Sequence, residues 1–296
     1  MKVINGFNRL KGKISASVVT FGIFDGLHKG HALILKKAVC RARRLKIKSV
    51  CITFWPSPKK SLLLYSLEHR LNLLEQFGLD ICIVVNLSKH FSQLSIDDFV
   101  KNILLKRLNV REVVIGDNFR FGKKRSKKVE DLILYAEDYG FKVLAIKLAK
   151  YKHKNISSTR IRDYILKGEL YQVKKMLGRK VSILGTVVHG RHIATAHLDL
   201  ATANINPHHE VLPPDGVYQV SVNIEKKRLP GICYIGIRPT LNLKRRVVEV
   251  HILNFKKNLY GKELYIAFGK KIRNDRKFKN LLELKRQIKA DLSKIS

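Results

Sequence analysis

Val18-Val19-Thr20-Phe21, followed without a break by Gly22-Ile23-Phe24-Asp25-Gly26-Leu27-His28-Lys29-Gly30-His31, decides the fold of the first half of the chain. Four β-favouring residues bounded by glycine read as a buried strand. From His31 onward, apolar residues recur at Leu35, Ala38, Ala42 and Leu45 with basic residues between them, the spacing of one helix face. Strand, Gly-rich turn and helix make the opening of a βα unit.

Working outward, the same alternation continues. Ser49 to Phe54 reads as a second strand, ended by Pro56 and Pro58. A helix is expected through Leu62–Phe77, stopped by Gly78, and a third strand at Ile81–Val85. Ser95 and Asp98 have the spacing of a capping box for a helix running to Leu108. Val113–Gly116 and Lys142–Ile146 add strands, and a helix is expected through Asp163–Leu177. Strands alternating with helices predict a doubly wound α/β domain, which binds ligands beyond the carboxyl ends of its strands. Near Gly178 the rhythm changes. Val181–Val188, Val217–Ile224, Gly231–Ile237, Val247–Phe255 and Glu263–Phe268 are strand-like runs between Gly, Pro and Asn turns, with no helix until Phe278–Leu292. That spacing predicts a small antiparallel β-barrel with a C-terminal helix. The expected division is therefore residues 1–179 and 180–296.

Composition fits this reading and excludes others. With 296 residues, 45% hydrophobic and 28% charged, the chain is two domains' worth of ordinary globular protein on a prior of roughly 150 residues per domain. Cys40, Cys51, Cys82 and Cys233 are scattered without a C-x-x-C pair, which argues against a disulfide framework or a cysteine zinc site. No apolar run reaches the roughly 20 residues of a spanning helix, and Met1 to Lys13 lacks the apolar core of a secretory signal. A cytoplasmic protein without a membrane partner is expected. The 59 Lys+Arg against 23 Asp+Glu leave a net charge of +36. Residues 1–180 hold +24 of it and residues 181–296 hold +12, so the excess follows length and forms no basic arm. Diffuse charge is a solvated surface more often than a recognition stripe, which weighs against nucleic acid as the partner. The sequence sets no oligomeric state.

The densest chemistry lies at residues 22–31. Gly22, Gly26 and Gly30 let backbone approach a ligand without Cβ obstruction, and the helix opening at His31 offers free N–H groups to a phosphate. His28 and His31, three apart at that opening, can face one phosphate and stabilise charge building at phosphorus under in-line attack. A metal site would need a third ligand that does not follow locally. Two ordinary turn histidines would leave the crowding of Gly, Asp and His unexplained. No G-x-x-x-x-G-K-[S/T] occurs, so a P-loop kinase is excluded.

The stretch G-I-F-D-G-L-H-K-G-H resembles the adenylyltransferase signature of prokaryotic bifunctional riboflavin kinase/FMN adenylyltransferases (FAD synthetases), within the wider HxGH nucleotidyltransferase superfamily. Thr53-Phe54-Trp55-Pro56-Ser57-Pro58 resembles that family's T-F-x-P-x-P segment, with Ser57 where His is usual. Gly116-Asp117-Asn118-Phe119-Arg120-Phe121-Gly122 resembles its G-D-x-F-R-F-G loop, and Ile156-Ser157-Ser158-Thr159-Arg160-Ile161-Arg162 its I-S-S-T-x-I-R motif. The resemblance implies a Rossmann-like domain that transfers AMP from ATP to FMN with Mg²⁺, giving FAD and pyrophosphate. It implies that His28 and His31 steady the α-phosphate and that Ser157, Ser158, Thr159 and Arg162 hold the triphosphate. Gly22, Phe24, Asp25, Gly26 and Gly30 would shape the nucleotide loop, and Phe54, Pro56, Pro58, Asn118 and Phe119 the flavin side.

The second half resembles the riboflavin kinase module at Gly185–Gly190, Thr202-Ala203-Asn204-Ile205, Asp215–Tyr218, Gly236–Thr240 and Glu249–Phe255. Val248, Val250 and Ile252 alternate with Glu249 and His251, placing the carboxylate on the face opposite the apolar one. The resemblance implies that Glu249 is the base for the riboflavin hydroxyl that attacks the γ-phosphate of ATP, with Thr202 and Asn204 binding Mg²⁺ and phosphate. Residues 191–201 depart from the family, since the expected glycines and proline are absent. Cβ atoms there obstruct a phosphate loop. Two alternatives follow: a monofunctional adenylyltransferase with a silent kinase domain, and an RNA-binding protein on this scaffold. His189, His192 and His197 lack carboxylate or cysteine partners for a metal site.

Overall fold

The computed structural model describes residues 1–56, 63–86, 94–120, 127–189, 201–225, 227–237, 246–255 and 257–295. The chain forms two compact units, residues 1–61 with 70–158, and residues 62–69 with 159–296.

The first unit contains β1 (Lys2–Asn5), β2 (Ser17–Phe21), α1 (Lys29–Leu45), β3 (Lys48–Phe54), most of α2 (Leu67–Glu75), β4 (Ile81–Val85), a π-helix (Phe99–Leu105), β5 (Val110–Gly116), α3 (Val129–Tyr139) and β6 (Lys142–Ile146). A short ribbon of β7 (Lys150–Tyr151) and β8 (Lys154–Asn155) follows. The six main strands form a parallel sheet in the order β1-β4-β3-β2-β5-β6. Period-two alternation sorts the strand residues to two buried faces. Val19, Phe21, Ile52, Ile83, Val113 and Ile115 pack with Val100, Leu104 and Leu132, while Val18 and Val114 pack under Ala38 and Ala42 of α1. This is the expected doubly wound sheet. The chain proceeds from β2 outward to β3 and β4, then returns to lay β5 on the other side of β2. The reversal point therefore lies between the carboxyl ends of β2 and β5, where α1 begins. Arg41 of α1 holds the buried Glu112 of β5 through two bonds, one of them Nε to Oε2 at 2.7 Å.

Some helices differ from the expected spans. Among the described residues α2 begins at Leu67, because Ser66 Oγ accepts the His69 N–H at 3.3 Å and starts the helix there. The expected helix Asp163–Leu177 is two helices, α4 (Ser158–Leu166) and α5 (Leu170–Leu177). Gly168 breaks it at φ +77°, a left-handed conformation that ends helices.

The second unit is a closed antiparallel barrel of β9 (Ser182–Val188), β10 (Ala203–Asn206), β11 (Gly216–Ile224), β12 (Lys227–Ile237), β13 (Arg246–Ile252) and β14 (Glu263–Arg273), in the order β10-β13-β12-β11-β14-β9. The C-terminal helix α6 (Leu281–Leu292) is capped by Asn280, whose side chain accepts from the Glu283 N–H at 2.9 Å. β10 is the barrel strand absent from the sequence reading, as β1, β7 and β8 are in the first unit. Its pairing with β9 requires Gly185, since a Cβ there would lie 2.3 Å from Ile205 Cγ2 and 2.7 Å from the Asn206 carbonyl oxygen. Segment 63–69 belongs to this unit. Buried Glu210 takes N–H bonds from Ser66 (2.8 Å) and Leu184 (3.2 Å) and faces His69 Nδ1 at 3.0 Å. Among the described residues no helix is long and apolar enough to cross a membrane.

Candidate active sites

The β2–α1 loop is held in a conformation the chain alone disfavours. Phe24 and Leu27 take positive φ, 52° and 41°, beside Gly26 at 83°. Each non-glycine residue in that region costs on the order of 1 kcal/mol or more and persists only where the surroundings hold it. The surroundings here are specific. The Gly22 N–H donates to the Ile52 carbonyl at 3.0 Å, and Thr53 Oγ1 donates to the Ile23 carbonyl at 3.1 Å. Ser158 Oγ donates to the Asp25 carbonyl at 2.6 Å. Asp25 and His28 are buried.

His28 is the N-cap of α1, and its Nδ1 accepts the His31 N–H at 3.3 Å. An accepting Nδ1 leaves the ring N–H on Nε2, so the cap selects that tautomer. The His28 and His31 rings stack at 3.7 Å and 17°, and Phe24 meets His31 edge-on at 5.3 Å. Gly30 makes room for the stack, because a Cβ there would sit 3.1 Å from His28 Cε1. Two imidazoles, a helix N-terminus and a close-lying backbone thus share one end of the sheet, at its reversal point. The arrangement suits a phosphate carrying developing charge.

The other expected residues fall around this loop or outside the description. Phe54 ends β3 and Pro56 follows it; Ser57 and Pro58 lie outside the described residues, as do Phe121 to Ser126. Asn118 lies just past β5, its Oδ1 3.4 Å from the place of a Gly116 Cβ, and Phe119 packs edge-on to Phe21 at 5.0 Å. Ser157 is exposed before α4, whose first residue is Ser158. Thr159 and the buried Arg162 continue α4 and count with the second compact unit.

In the barrel, register assembles what sequence keeps apart. Asn204 of β10 pairs with Glu249 of β13, which pairs on its other side with Tyr234 of β12. The three side chains therefore stand in one row across three strands, and Thr202 directly precedes β10. Val248, Val250 and Ile252 are buried on the opposite face, as the alternation predicts. Glu249 itself is buried, only 7% exposed, while Asn204 and Tyr234 beside it are half-buried. Burial, with the Glu249 carboxylate adding to it, holds the Cys233 thiol above its usual range. Burial and the neighbouring Asp275 carboxylate likewise push the Tyr234 hydroxyl up, and that hydroxyl donates to Asp275 at 3.2 Å. Of the barrel histidines, His189 stacks on Tyr260 at 4.1 Å, while His192, His197 and the rest of 190–200 lie outside the described residues. Among the described residues no cluster of His, Cys, Asp and Glu could hold a metal.

Sequence reasoning missed Arg70 and Tyr234. Arg70 carries a signal in retrospect, since His69 and Arg70 stand one helical turn ahead of the buried Leu73 and Leu74, where apolar residues would be expected. Tyr234 carries none, because only pairing brings it beside Glu249.

The FAD synthetase family profile matches residues 11–160, and the riboflavin kinase profile matches residues 177–296. A bifunctional riboflavin kinase/FMN adenylyltransferase of Buchnera aphidicola subsp. Schizaphis graminum is 37% identical over 303 residues, covering 99% of this chain and 97% of its own length. The chain belongs to this bifunctional family. The member from Escherichia coli K12 is 33% identical over 98% of this chain and 96% of its own. A solved structure described as a macrolide-efflux protein from Streptococcus pneumoniae shares the fold over 99% of this chain and 98% of its own, with TM-score 0.85 and 28% identity. Family membership accounts for both halves of the molecule, the parallel sheet and the closed barrel.

Proposed function

We propose that this chain makes FMN from riboflavin and FAD from FMN, each with ATP, assigning adenylyl transfer to residues 1–179 and phosphorylation to residues 180–296. The observation that carries the first activity is the stacked His28–His31 pair at the opening of α1, with the Nε2 proton of His28 selected by its own N-cap bond. A phosphate oxygen of FMN attacks the α-phosphorus of ATP, a new P–O bond forms in line, and the bond to pyrophosphate breaks. The histidines donate to α-phosphate oxygens as charge builds there, and the N–H groups at the start of α1 add to that stabilisation. Ser157, Ser158, Thr159 and Arg162 hold the triphosphate, the guanidinium fork suiting phosphate oxygens. Phe54, Pro56, Pro58, Asn118 and Phe119 form the flavin side.

In the barrel, Glu249 takes the proton of a riboflavin hydroxyl while that oxygen attacks the γ-phosphorus and ADP leaves. The row Asn204–Glu249–Tyr234, with Glu249 buried at its centre, favours a working kinase over a silent one. The oxygen donors of Thr202, Asn204 and Glu249 suit a hard cation, and Thr202 with Asn204 would hold Mg²⁺, which neutralises phosphate charge. Four free cysteines, three of them buried, suit a reducing cytoplasm. The test is chromatography of flavins after incubation with riboflavin and Mg-ATP, beside an FMN control. Conversion of both supports the bifunctional reading. Conversion of FMN alone leaves a monofunctional adenylyltransferase, and no conversion moves the RNA-binding alternative ahead.

A further inference from the structure

Arg70 is 0% exposed and, among the described residues, the bulkiest of the fully buried side chains. Its Nη1 donates to the Ile23 carbonyl at 2.8 Å and to the Phe54 carbonyl at 3.1 Å. One nitrogen thus bridges the β2–α1 loop and the carboxyl end of β3. Nε and Nη2 are buried without a hydrogen-bond partner among the described residues. The ring of Trp55, the only tryptophan in the chain, lies 5.4 Å from Cζ in a cation–π contact. Burial pulls the guanidinium below its ordinary value, and the nearby Asp25 opposes that pull.

A leucine or methionine would fill this space without burying a charge and two unpaired donors. What an apolar residue cannot do is tie the Ile23 and Phe54 carbonyls to one point. Ile23 lies in the loop assigned to the nucleotide and Phe54 in the segment assigned to the flavin, so the tie sets the separation of the two half-sites. In-line transfer is sensitive to that separation, with a misplacement of about 1 Å costing on the order of a hundredfold in rate.

We propose that Arg70 is a positioning residue for adenylyl transfer, clamping the nucleotide loop to the end of β3, with Trp55 stacked on the clamp at its flavin-side end. The proposal rests on the adenylyltransferase reading above and adds to it a residue that acts through the backbone without touching the reacting atoms.

The test uses the full-length enzyme and two variants, Arg70→Met and Arg70→Lys, with FMN-to-FAD kinetics and the emission of the single tryptophan. In Arg70→Met, kcat is expected to fall about a hundredfold, while KM for ATP and for FMN changes less than about threefold. Arg70→Lys, which keeps a charge but loses the planar fork, is expected to fall about tenfold. Mg-ATP alone should shift Trp55 emission in the wild type and leave it unmoved in Arg70→Met, because the link from loop to indole is cut. Should Arg70→Met fail to fold, Arg70→Lys decides: a kcat within about twofold of wild type overturns the proposal. An unchanged kcat in a folded Arg70→Met, or an equal emission response to Mg-ATP, overturns it as well. A wild-type enzyme that makes no FAD from FMN removes the adenylyltransferase reading itself, a result distinct from active wild type and active variant.

Discussion

The two candidate sites are built on opposite plans. In the α/β unit the site is one continuous loop, Gly22 to His31, whose chemistry lies in backbone N–H groups and two histidines on a single turn. In the barrel it is a row of side chains, Asn204, Glu249 and Tyr234, drawn from three strands by antiparallel register. The first plan depends on local conformation that neighbours must enforce, as the positive φ of Phe24 and Leu27 shows. The second needs no strained residue but fails if one strand slips, because a one-residue shift turns every side chain to the other face.

The reciprocal pair His31→Ala and Glu249→Gln breaks this comparison most directly. Losing the base should cut riboflavin phosphorylation by about 10²- to 10⁴-fold. His31→Ala should cut FAD formation from FMN by about 10²- to 10³-fold. Each should spare the other reaction, and separate rate assays with riboflavin and FMN check it. One variant damaging both reactions equally would show that the two sites do not work apart.

Glu210→Ala sharpens the contrast in stability. It strips the acceptor from the buried N–H groups of Ser66 and Leu184 and from His69, and should cost about 3–5 kcal/mol, read by denaturant unfolding. The smallest effect concerns Glu112. The bonds from Arg41 hold its carboxyl below the usual glutamate value of 4.5. The pair's contribution is therefore full above that ordinary value and is lost as pH falls through the lowered folded one. Glu112→Gln should lower the melting temperature at pH 7, and its gap from wild type should narrow as pH falls below 4.5.

Much of the candidate site in the α/β unit was legible because its parts are adjacent. Glycines, His28 and His31 fall within one turn and one helix start, and local sequence carries local geometry. Glu249 was legible as a side chain opposite an apolar face, but its burial was not, since burial depends on what packs over that face. β10 escaped because Ala203–Asn206 is only four residues long, too short for its alternation of Ala and Ile with Asn to mark a strand. The break at Gly168 inside an otherwise helical run was overridden by the flanking apolar periodicity, yet the glycine's left-handed φ ends the helix.

Sequence by itself determined the alternation of strand and helix, the switch to strands near Gly178, and the Gly-rich loop with its two histidines ahead of α1, since each is written in spacings of a few residues. Tertiary structure alone decided three further things. It set the strand order that places the loop at the sheet's reversal point, the register that lines Asn204 and Tyr234 up with Glu249, and the burial of Arg70 between two carbonyls. These depend on contacts between residues far apart in the chain, whose energies come from packing and hydrogen bonding that no local pattern records.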